Sequence, residues 1–239
     1  RQIGAGAVAA GGLITLIKTL PTIVSSFRES VSSLKEKSEA SIARTDRDLS
    51  FKVVIIGSVI LVALIALLPN QVIPGDSILE KLLIGILIII FGFFFVTVAS
   101  RIVGLVGSSN SPISGMTIAT LMGTCLIFTA VGWSGKLYEP LALVVGGMIC
   151  IAAANAGATS QDLKTGYIVG ATPRYQQLAL FIGAIVSSIA IGIVVKVLDT
   201  PTADMAAQGI THAIGSERYS APQATLMATL ARGILSYNL

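Results

Sequence analysis

The chain has 239 residues, 54% of them hydrophobic and only 12% charged, and its mean hydropathy is +0.86. A soluble domain carries roughly 25% charged residues, so the deficit points to a lipid bilayer as solvent. The formal charge of +4 does not indicate a nucleic-acid partner, because the basic residues are scattered through loops between apolar runs rather than gathered on one face.

Apolar runs recur at about 4–26, 53–69, 82–100, 113–132, 140–157 and 177–198, and another opens at about 222 and is incomplete at 239. Each complete run is close to the roughly 17–25 residues that carry a helix across hydrocarbon. A buried strand would be far shorter. The expected fold class is all-α: a polytopic transmembrane helical bundle, one domain fragment, with broken or re-entrant segments where polar residues interrupt the runs. Because the chain opens on Arg1 and stops inside an apolar run, it reads as a piece of a longer protein.

Lysine and arginine counts in the connecting loops set an expected orientation. One side carries Arg28, Lys35, Lys37, Arg44, Arg47, Lys52, Arg101, Lys164 and Arg174, nine residues, against Arg1, Lys81, Lys136, Lys196 and Arg218, five, on the other. The first set is expected to be cytoplasmic. This makes 28–52 a solvated cytoplasmic loop and 199–221 an external one, able to carry a short helix and holding His212, the single histidine.

The first run is rich in small residues, Gly4, Gly6, Gly11 and Gly12, which let helices approach closely. Within it, Lys18 lies three residues before Pro21, where an ammonium must snorkel, pair or line a cavity. Between the third and fourth runs, Gly107 to Thr117 is too polar for lipid and too poor in charge for a typical exposed loop. It fits a broken helix or re-entrant turn whose backbone faces protein or a water-filled cavity, or else a short cytoplasmic turn. Free N–H groups at the start of a helix from Ser114 would favour a carboxylate. Cys125 and Cys150 both fall in apolar stretches, giving neither a disulfide framework nor a metal-ligand spacing.

A third polar stretch follows the fifth apolar run: Asn155-Ala156-Gly157-Ala158-Thr159-Ser160-Gln161-Asp162-Leu163-Lys164-Thr165-Gly166, continuing to Gln177. Asp162 and Lys164 are too close in sequence to face each other on a helix, so each needs its own partner. A carboxylate so placed is a candidate proton relay or ammonium partner, and the amine could receive a carboxylate. In the bland alternative, Asp162 starts the next helix while Lys164 and Arg174 set topology. Catalysis has little footing: there is no HExxH, no nucleophile elbow, no Asp-rich pair and no P-loop.

Three stretches together resemble the oligopeptide transporter family, whose relatives include the yellow-stripe-like carriers of metal chelates: Ala7 to Ile23, Ser100 to Leu121, and Asn155 to Gln177. The shorter Ala221 to Met227 adds to the match. The resemblance implies a proton-coupled secondary carrier that imports short peptides, or alternatively peptide-like metal chelates, across a bacterial inner membrane. The bland counterpart is a channel-like or structural membrane subunit. On the family reading, Ser108, Ser109, Asn110, Ser114, Asn155, Thr159, Gln161 and Lys164 are candidate substrate-binding residues, and Asp162 is the candidate proton-coupling group. Ala158 stands where relatives are expected to vary among small, hydroxyl and acidic residues, which leaves Asp162 as the local acid. The expected partners are the peptide or chelate, protons, membrane lipid and further copies of the chain in a homo-oligomer. No cofactor or directly bound metal is implied.

Overall fold

In this computed structural model the described residues are 43–70, 73, 77–107, 111–135, 137–217 and 219–235, with positions 10, 14, 17, 18, 21, 24 and 25 of the first apolar run. The expectations for Gly4, Gly6, Gly11 and Gly12, for most of the 28–52 loop, and for Ser108, Ser109 and Asn110 lie outside them.

The helices are α1 (Phe51–Leu67), α2 (Ile78–Val106), α3 (Ile113–Ala130), α4 (Glu139–Ile168), α5 (Pro173–Asp199), α6 (Ala203–Ala207) and α7 (Pro222–Leu235), and a 3-10 turn at Arg44–Asp46 precedes α1. Among the described residues there is no strand, only an isolated bridge between Ile214 and Tyr219. Among the described residues five helices, α1 with its preceding turn and α2 to α5, are long and apolar enough to cross a membrane. The fold is an all-α polytopic membrane bundle.

Local chemistry sets the helix ends. The Ser77 hydroxyl accepts the Leu79 N–H at 3.2 Å and caps the start of α2. That helix stops at Gly107, whose φ of 97° suits glycine. Lys81, only 6% exposed, donates its ammonium to the Leu68 carbonyl at the end of α1, where a helix dipole favours a cation. Pro140 lies in the first turn of α4, where its missing N–H costs nothing.

α4 is 30 residues long, on the order of 45 Å, well beyond its apolar run. Nothing between Asn155 and Gly166 breaks a helix; termination waits for Gly170, at φ 74°, and Pro173. This corrects the expectation that the Asn155–Gly166 stretch follows a helix. It also removes the alternative in which Asp162 starts the next one, which begins at Pro173.

α2 and α4 run parallel and form the most extensive contact of the bundle. The Tyr138 hydroxyl lies 3.5 Å from Glu80 near their starts, Gly92 faces Ile149 midway, and Gly104 faces Ser160 near the ends. α3 packs antiparallel against α4, with Leu121 and Thr117 facing Gly146. The core between them holds Ile84, Phe95, Leu121, Phe128, Leu141 and Ile149, each at most 2% exposed. α7 closes one end against α3 and α4, and Arg232 pairs with Glu139 at 3.0 and 3.2 Å. By contrast α5 has no buried residue and α1 only Ile65, so both present apolar surface outward.

Candidate functional site

The polar stretch of α4 divides between two faces. On the α2 side, the Ser160 hydroxyl donates to the Ser100 carbonyl at 3.0 Å, and the Ser100 hydroxyl donates to the Ala156 carbonyl at 3.4 Å. One turn further, Lys164 Nζ donates to the Gly104 carbonyl at 2.6 Å. That carbonyl is among the last of α2, so Lys164 supplies a cation and a donor to an unsatisfied helix end. The close approach depends on Gly157, where a Cβ would sit 2.9 Å from Val103 Cγ2.

The second face points away from α2. Asn155 and Asp162 are seven residues apart, two turns along one side, and both are exposed, as are Ala158, Gln161 and Thr165 around them. Thr159 is partly buried at the margin of this face. Two residues of helix turn the chain by roughly 200°, so Asp162 and Lys164 are not brought together. The Asp162 carbonyl accepts Gln176 Nε2 at 3.2 Å, which ties this face to the start of α5. Gly166 makes room for that amide, since a Cβ there would lie 2.2 Å from it.

α3 begins deeper than its neighbours end. With Thr117 and Leu121 opposite Gly146, an antiparallel helix brings Ile113 level with about residue 152 of α4. Val106, the end of α2, lies level with about residue 162, so the start of α3 is recessed by roughly 15 Å. Ser114 is exposed in that first turn, where the Ile113 and Met116 N–H groups donate to the Ser111 and Pro112 carbonyls and those of Ser114 and Gly115 have no intrahelical partner. The Ser111 Oγ just before it is buried with no hydrogen-bond partner among the described residues. Further along, the Thr117 and Thr120 hydroxyls donate back to the Ile113 and Met116 carbonyls and are committed to the helix.

A family model described as OPT oligopeptide transporter protein matches residues 1–238. The chain belongs to the oligopeptide transporter family. It is 33% identical over 254 residues to a Haemophilus influenzae protein provisionally named an oligopeptide transporter, an alignment that takes in 100% of this chain and 40% of that relative. The chain thus spans less than half the length of the curated relative it matches. No solved structure matches it. The family is one of transporters, not enzymes, and the five spanning-length helices fit an integral membrane protein.

Ser100, Ser160 and Gln176 are structural participants that sequence reasoning left out of the site. The signal for Ser160 was its spacing of four from Lys164, which puts both on one helix face. Ser100 and Gln176 gave no local signal, because their partners lie on other helices.

Proposed function

We propose that this chain is part of a secondary transporter that imports oligopeptides across a bacterial inner membrane, driven by protons, with Asp162 as the coupling group. The observation that carries the reading is the exposed pairing of Asn155 and Asp162 on one face of a spanning helix. A carboxylate facing lipid costs about 2.5–3.5 kcal/mol at a helix centre and less towards a helix end such as that of Asp162, so an acid on a spanning helix favours a cavity or a partner. In the full carrier, the face of Asn155, Ala158 and Asp162 lines a water-filled cavity completed by segments outside this chain.

In that cavity Asp162 alternates between holding a proton and pairing with a substrate ammonium. Asn155, Thr159 and Gln161 hydrogen-bond the peptide backbone, whose amides would otherwise lose their water. The recessed start of α3, with Ser114 and the buried Ser111 hydroxyl, offers a second polar position in which N–H groups favour a carboxylate. Lys164 is already held by the Gly104 carbonyl; it keeps the end of α2 in place and reaches substrate only if that bond exchanges. The nine-to-five excess of basic residues supports a cytoplasmic location for the α4–α5 turn.

Reconstituting the full-length carrier in vesicles tests this. Di- to hexapeptides should accumulate under an inwardly directed proton gradient, and a protonophore should collapse the accumulation. Equilibration without accumulation would favour the channel-like alternative, and accumulation of metal chelates alone would replace peptide as the substrate.

A further inference from the structure

The segment before α1 is bonded to the α4–α5 turn across a sequence separation of 126 to 129 residues. Arg44 donates through one guanidinium nitrogen to Thr172 Oγ1 at 3.0 Å and through the other to the Gly170 carbonyl at 2.8 Å. The Gln177 amide spans the other end, accepting the Leu49 N–H at 3.0 Å and donating to Asp48 Oδ1 at 3.0 Å. Between them the Arg174 N–H donates to the Arg47 carbonyl at 3.0 Å.

These bonds join the approach to α1 to the start of α5; within this chain α5 buries no residue, and α1, which packs on α2, buries only Ile65. Unlike the middle of the α2–α4 seam, which is apolar, the contact is polar, and apart from the buried Thr172 it lies at exposed or partly buried positions. Its groups can exchange protein partners for water at little net cost, which is the property a reversible closure needs. It also reaches the proposed coupling site, because Gln176, beside Gln177, donates to the Asp162 carbonyl.

We propose that residues 44–49 and the α4–α5 turn form a latch, closed in this structure, that opens when the carrier changes the side to which its cavity faces. The proposal rests on the reading of the chain as a secondary transporter. Opening releases Arg44 from Gly170 and Gln177 from Asp48, and α5 is then free to swing relative to α1. Arg44, Gln176 and Gln177 act as positioning residues: they set the disposition of α4 and α5 and do not touch the peptide.

The test uses the full-length carrier with native cysteines replaced. Arg47→Cys with Arg174→Cys places a thiol pair where the backbones already hydrogen-bond, and a disulfide accepts Cα atoms up to about 6.8 Å apart. Oxidation is expected to lower the initial rate of peptide uptake at least tenfold while peptide binding changes by less than twofold, and reduction restores uptake. Independently of transport, a cysteine at Ala171, half-buried in the turn that Arg44 holds, is labelled by a water-soluble maleimide, and Arg44→Gln is expected to raise the labelling rate at least threefold. A cross-linked carrier that transports like the reduced one, or labelling indifferent to Arg44→Gln, overturns the latch. Failure of the uncross-linked carrier to accumulate peptide counts against the transport reading, and the labelling result still decides the latch.

Discussion

Replacing Gly157 by alanine tests the parallel seam on which the placement of the site depends. The added Cβ would stand 2.9 Å from Val103 Cγ2, short of the roughly 3.5–4.0 Å at which carbon atoms attract. Val103 is only 4% exposed and β-branched, so it has little freedom to rotate away inside a helix. Overpacking of this kind costs about 1–3 kcal/mol. The alanine regains at most about 1 kcal/mol in helix propensity, leaving a net loss of up to about 2 kcal/mol, about 1 at the midpoint. Thermal unfolding of the purified carrier in detergent, with the single variants Gly157→Ala and Val103→Ala and the double variant, isolates the contact. The double variant should be more stable than the sum of the two single losses by about 1 kcal/mol, since removing the valine methyls makes room for the new Cβ. If Gly157→Ala unfolds at or above the wild-type temperature, or the two changes simply add, the helices do not meet in this register.

Thr124 offers an opposite sign. It is fully buried and its hydroxyl has no partner among the described residues, so Thr124→Val should stabilise the fold by about 1 kcal/mol, and a lower unfolding temperature would show that the hydroxyl is satisfied. Lys164→Met removes the donor to the Gly104 carbonyl; a loss of about 1 kcal/mol with unchanged peptide KM is expected, whereas a raised KM at unchanged stability would place the amine on the substrate. Oxidative cross-linking of the latch at Arg47→Cys and Arg174→Cys should stop turnover while leaving binding intact.

Hydropathy located the cores of α1 to α5 because lipid imposes a long, uniform apolar signal. It failed at the C-terminal ends of α2 and α4, where Arg101 and the Asn155–Lys164 stretch lower hydropathy without interrupting the backbone. There, termination is set by Gly107, Gly170 and Pro173, residues that control conformation rather than solvent preference. The division of the α4 motif was legible as geometry: Asn155 and Asp162 repeat at seven, and Ser160 and Lys164 at four. Which face meets α2 was not, because it depends on Gly157 fitting Val103, a contact between residues 54 positions apart. The latch was invisible for the same reason. Arg44 and Gln177 look like ordinary loop and helix-start residues until folding brings them together.

The central claim, that the Asn155–Asp162 face lines a proton-coupled cavity, is tested most directly by Asp162→Asn in the reconstituted full-length carrier, with initial peptide uptake measured as a function of an imposed pH gradient. The variant should insert normally and lose gradient-driven accumulation, its residual uptake becoming independent of the gradient. Uptake with wild-type rate and wild-type pH dependence would remove Asp162 from the coupling mechanism.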